Sequence, residues 1–130
     1  MTKFDIKSYI VFLIVLLLVD SIYLFSLKKV HSKVIQKVQG SPLEIKYFPA
    51  SLFYLMAPLG YIFLIKPLAN KNNSKIMMYG LLVGLLMYGT FDATNLALFK
   101  NYPGWYALMD TLWGMFAIMI TSIITNKIVG

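Results

Sequence analysis

Four apolar stretches, residues 9–27, 47–65, 76–98 and 105–125, alternate with short segments that hold most of the lysines. At 1.5 Å per helical residue each reaches about 28 Å or more, enough to cross the hydrocarbon of a bilayer. The lysine-bearing start followed by an apolar run resembles a signal peptide, but no small-x-small cleavage site follows it, so a retained first span is expected. Residues 28–40 place Val30, Val34, Ile35 and Val38 at helical spacing, with Lys28, Lys29, Lys33 and Lys37 around the rest of the turn. That pattern predicts a short amphipathic helix lying in the headgroups, ended by Gly40-Ser41-Pro42. Pro58 falls inside the second span and predicts a kink, and Lys66-Pro67 is expected to close that span. The whole reads as an all-α integral membrane four-helix bundle with a short interfacial amphipathic helix between spans one and two, one domain over residues 1–130.

Composition agrees with this and removes other chemistries. Hydrophobic residues make up 59% of the chain, above the roughly 45–50% of globular proteins. Cysteine is absent, which excludes disulfides, thiolate nucleophiles and sulfur-rich metal sites. The net charge of +7 comes from lysine, and the anionic field of a membrane surface accounts for it without nucleic acid. With four spans, six lysines fall on the side of the termini and six on the far side, so the positive-inside rule gives no asymmetry. The single histidine, His31, sits among lysines and is expected to be solvated; no second one is present to complete a metal site. No metal and no cofactor is expected. Tyr102, Trp105 and Tyr106 stand where an interfacial aromatic belt belongs.

Polar groups within the spans carry the candidate chemistry. In the third span Gly80, Gly84, Tyr88, Asp92 and Asn95 share one helical face, with small residues for close packing at one end and ionisable or polar ones at the other. In the fourth, Asp110, Trp113, Gly114, Ala117 and Thr121 form a comparable face; in the second, Ala50, Tyr54, Ala57 and Tyr61 do. Asp20, Asp92 and Asp110 lie five to seven residues from the far-side ends of their spans, as does Tyr54. Each is therefore about 8–10 Å beneath the same interface. A carboxylate at such depth costs about 2.5 kcal/mol or more. Two of them ~5 Å apart would repel by about 3 kcal/mol at an effective dielectric of ~20. The lysines are all in flanks, so Tyr88, Thr90, Thr94, Asn95 and Trp113 are the expected hydrogen-bond donors to this layer. Interhelical glue is the competing role for such polar groups.

Several stretches carry a resemblance. Tyr88-Gly89-Thr90-Phe91-Asp92-Ala93-Thr94-Asn95-Leu96-Ala97 is similar to the Y-x-T-Y-D-L-T-N-x-A signature of an uncharacterised family of small predicted membrane proteins, domain-of-unknown-function family 2177. Leu18-Val19-Asp20-Ser21-Ile22-Tyr23-Leu24 resembles its L-D-x-x-W-L stretch, Leu52-Phe53-Tyr54 its L-F-Y, and Asp110-Thr111-Leu112-Trp113-Gly114 its D-x-x-W-G. Tyr23 and Phe91 stand where the family pattern has tryptophan and tyrosine. The resemblance implies four membrane spans and no assigned activity.

The expected site is thus an intramembrane acidic pocket built from Asp20, Tyr54, Tyr88, Asp92, Asn95, Asp110 and Trp113. Beyond the lipid bilayer itself, its expected partner is a small solute, a proton or a lipid. Three functions compete: a small-solute or proton-coupled carrier, an intramembrane enzyme acting on a lipid or isoprenoid through paired carboxyls, and a non-catalytic assembly subunit whose polar layer fixes helix register.

Overall fold

A computed structural model describes residues 3–130; Met1 and Thr2 of the N-terminal polar segment lie outside the described residues. Its elements are α1 (Ile6–Ser26), α2 (Lys28–Gln39), α3 (Tyr47–Ala69), α4 (Asn73–Leu98) and α5 (Gly104–Val129). Four of these, all but α2, are long and apolar enough to cross a membrane. Only 22–33% of their most apolar stretches is buried within the protein, so most of that surface faces outward, where lipid replaces a globular protein's second layer.

Local chemistry sets the boundaries. Asp5 caps α1: its Oδ1 accepts from the backbone N–H groups of Lys7 (3.1 Å) and Ser8 (3.3 Å), which have no partner within the helix. Its Oδ2 accepts from Ser8 Oγ (2.6 Å) and from Lys66 Nζ (2.7 Å), tying the start of α1 to the end of α3. The Lys66 ammonium and the Ser8 hydroxyl hold the Asp5 carboxyl well below the usual carboxylate range. Gly40 ends α2 in the left-handed region, at φ 77°. Asn70 and Lys71, at φ 47° and 63°, reverse the chain between α3 and α4.

The second span departs from expectation at one point. It does not close at Lys66-Pro67 but runs on to Ala69. A π turn, Tyr61–Ile65, ends two residues before that proline. The wider turn displaces the carbonyls that the proline ring would strike in a regular helix, so the helix continues. A second π turn, Leu85–Gly89, interrupts α4.

The bundle is tightest where α4 crosses α5. A Cβ on Gly84 would stand 2.6 Å from the Gly114 carbonyl oxygen and from Met115 Cα; one on Gly80 would stand 2.8 Å from Met119 Cα. A Cβ on Gly114 would fall inside the Tyr88 ring. Gly80 and Gly84 let backbone meet backbone, and Gly114 makes room for the Tyr88 ring; such close packing is what helices in lipid depend on in the absence of a hydrophobic drive between them. Toward the terminal face the interior is mainly apolar, with Phe12, Leu16, Tyr61, Ile65, Ile76 and Ile118 all nearly inaccessible, and Ser8, Thr121, Ser122 and Thr125 buried there as well.

The interfacial helix is also more deeply engaged than its pattern indicates. Its lysines are exposed, yet Val34 is buried against Tyr102, Tyr106 and Ala107, so α2 lies across the start of α5. Tyr102 and Tyr106 are correspondingly 8% and 7% exposed and turn inward; Trp105, at 58%, is the one of the three expected belt aromatics that faces out.

Gly84→Ala and Gly114→Ala should each lower unfolding stability by about 1–3 kcal/mol, the usual cost of overpacking. Gly104→Ala, whose Cβ meets nothing within 4 Å, should leave it nearly unchanged. Unfolding followed by circular dichroism in detergent micelles measures all three.

Candidate functional site

Each helix brings a polar group to the far-side layer, and the layer divides in two. The first part centres on Asp20, one turn before Tyr23 on the inner face of α1 and 6% exposed. Its Oδ1 accepts from Trp113 Nε1 of α5 (3.0 Å), and its Oδ2 accepts from the Tyr54 hydroxyl of α3. One carboxyl thus joins three spans. Both donors are held by aromatic neighbours: Tyr23 stacks flat on Trp113, centroids 4.7 Å apart, and Phe53 packs edge-on to Tyr54.

The second part centres on Asp92, 1% exposed. Its Oδ1 accepts from the Tyr102 hydroxyl (2.7 Å) and its Oδ2 from Thr111 Oγ1 (3.2 Å). Burial, then the bond to Asp92, pushes the Tyr102 phenol well above its usual range, so it remains a donor. Asp110 bridges the two parts: its Oδ1 accepts from the Tyr23 hydroxyl (3.1 Å), and its carboxyl neighbours that of Asp92.

A cavity of about 410 Å3 lies beside the first part. Asp20, Tyr54, Tyr88 and Asp110 line it, together with the apolar side chains of Phe53 and Phe91 among others. It exists because α3 packs on α1 in its far half and meets α4 mainly from the π turn Tyr61–Ile65 onward, which leaves a cleft between the far ends of α3 and α4. The Tyr88 ring is wedged over Gly114, and its buried hydroxyl has no hydrogen-bond partner.

A family model described as "Predicted membrane protein (DUF2177)" matches residues 5–126. The chain belongs to this family. No curated protein and no solved structure matches it. The DUF2177-like stretches read from the sequence map onto both parts of the layer, since they contain Asp20, Tyr54, Asp92 and Asp110. The protein is accordingly a multi-pass membrane protein.

The seven expected site residues do not form one pocket. Asp20, Tyr54, Tyr88 and Asp110 line the cavity. Trp113 reaches Asp20 from outside it, with its ring on a groove between α1 and α5. Asp92 is sealed by its own donors, and half-buried Asn95 sits beside the Tyr102 hydroxyl. Thr90 and Thr94, expected as donors, are exposed: two residues along a helix is about 200° around it, away from Asp92. Thr111, Tyr23 and Tyr102 take that role. Tyr23 lies one helical turn after Asp20, a signal within reach of helical spacing; Thr111, adjacent to Asp110, and Tyr102, in a loop, give none.

His31 corrects the sequence reading. It is 8% exposed, not solvated, because Val34 docks its helix against α5. Its Nδ1 and the Tyr106 hydroxyl share a 2.6 Å hydrogen bond, its ring meets Tyr23 edge-on at 4.8 Å, and its Nε2 is buried without a partner. Among the described residues no group of three metal-ligating side chains occurs.

Burial pushes the His31 imidazole below its usual range, against a smaller opposing pull from Asp20. A histidine kept neutral by folding contributes stability above its unfolded value of about 6.5 and loses it as pH falls below. Amide exchange of α2, corrected for intrinsic rate, should therefore accelerate between pH 7.5 and 5.5, and His31→Phe should flatten that dependence.

Proposed function

We propose that the protein is a carrier for small cationic amphiphiles, taken up in exchange for protons at Asp20 and Asp110. The observation that carries this reading is a cavity in which two carboxyls, Asp20 and Asp110, share apolar walls with Tyr88, whose hydroxyl is buried without a partner. Pockets for small molecules combine such a lining with a few polar groups that fix orientation. Charge supports a cationic head. No lysine pairs with any of the three layer aspartates; the one ion pair among the described residues is Lys66–Asp5, at the opposite face. A proton or an ammonium group is what such a layer lacks. The rings of Phe53, Tyr54, Tyr88 and Phe91 add faces on which a desolvated cation is stabilised. The route of entry follows from the cleft between α3 and α4, with Phe91 59% exposed beside it.

Exchange needs no further reactant. A protonated carboxyl is neutral and tolerated in hydrocarbon; loss of its proton to water leaves a carboxylate that pairs with the incoming cation. Asp92, enclosed by Tyr102 and Thr111, keeps the helices in register. The π turns of α3 and α4, breaks of a kind often found at functional sites, are where those helices would flex.

Trp113 reports occupancy, since its indole N–H is bonded to Asp20. In a Trp105→Phe background, octyltrimethylammonium should change Trp113 fluorescence saturably, more weakly at lower pH, while octanol should not. Asp20→Asn or Asp110→Asn should weaken that binding at least tenfold and abolish uptake into proteoliposomes; Asp92→Asn should reduce stability and leave binding in place. Equal affinity in all variants would reject the carrier. Binding without flux would favour action on a membrane lipid, and an effect on stability alone an assembly role.

A further inference from the structure

At the other face of the bundle, a groove of about 610 Å3 runs between the start of α1 and the end of α3. Lys3, Lys66 and Lys71 line it, with Asp5 the one acidic residue in its wall. Asp5 is already engaged, by Lys66 Nζ and by the first-turn N–H groups of α1. Lys66 donates at most twice within the protein, to Asp5 Oδ2 and to Ser8 Oγ (3.4 Å), leaving one of three ammonium protons. Lys3 and Lys71 are exposed and form no ion pair among the described residues. The groove therefore presents two uncompensated positive charges around a fixed ion pair.

Its remaining wall is apolar. Phe4 and Ile6 line it while 52% and 59% exposed. Ile6 opens the first span and Ala69 closes the second, so the groove lies at the boundary between hydrocarbon and headgroups. The left-handed pair Asn70 and Lys71, which turns the chain at that boundary, contributes to its rim.

We infer that this groove is a binding site for an anionic phospholipid, its phosphodiester held among Lys3, Lys66 and Lys71 and its acyl chains laid along Phe4 and Ile6. A soluble anion would satisfy the lysines and leave the apolar wall uncovered. A zwitterionic lipid would bring a cationic head against three ammonium groups. An anionic lipid meets both halves, and interfacial lysines gain from the anionic headgroup field. The site is separate from the acidic cavity and independent of the carrier reading.

Native mass spectrometry of the detergent-purified full chain, with dioleoylphosphatidylglycerol or dioleoylphosphatidylcholine added, tests this. Wild type should retain phosphatidylglycerol preferentially. The double variant K3Q/K71Q leaves the Lys66–Asp5 pair intact and should lose at least fivefold of that preference. K3R/K71R should keep it, as should K28Q/K29Q, which removes the same charge from the other face. An unchanged preference in K3Q/K71Q, or an equal loss in K28Q/K29Q, would overturn the site; so would full displacement of the lipid by millimolar inorganic phosphate.

Discussion

A carboxyl group in hydrocarbon must find its hydrogen-bond partners inside the protein, because no water is there to supply them. Asp20 meets that requirement across three helices, through Tyr54 and Trp113. Asp92 meets it through the loop before α5 and through Thr111. The Asp20 bonds join segments far apart in the chain and specify which helices are neighbours. Apolar residues alone would not, since one leucine-rich surface is as content against lipid as against another.

The glycine seam makes the clamps reachable. Gly80 and Gly84 let α4 approach α5 at backbone distance, and Gly114 admits the Tyr88 ring. With α4 and α5 so close, the space that remains opens elsewhere, between the far ends of α3 and α4. Close packing on one side of α4 and a cavity on its other side are consequences of the same geometry. The π turn Leu85–Gly89 lies at the level where one passes into the other.

The two parts of the layer are finished to different degrees. Around Asp92 both oxygens are satisfied and the group is closed off, the arrangement of a structural element. Asp20 has both oxygens bonded as well, yet it and Asp110 border open volume, and a phenol beside them has no partner. His31, buried with one nitrogen unpartnered and in edge contact with Tyr23, extends the layer toward the amphipathic helix that covers it.

Depth was legible in the chain. The number of spans, their limits within a few residues, and the shared level of Asp20, Tyr54, Asp92 and Asp110 follow from hydropathy and from 1.5 Å of rise per residue, both properties of a one-dimensional string. Partnership was not. That Asp92 is sealed while Asp20 and Asp110 face a cavity, that Thr111 and Tyr102 serve where Thr90 and Thr94 were expected, and that His31 turns inward depend on how helices rotate about their own axes. Rotation is fixed by contacts between distant segments: glycine against glycine, Val34 against Tyr106, a π turn before Pro67. The sequence by itself determined how deep each polar group would lie; the tertiary structure decided what it would meet there, because azimuth about a helix is settled by its neighbours.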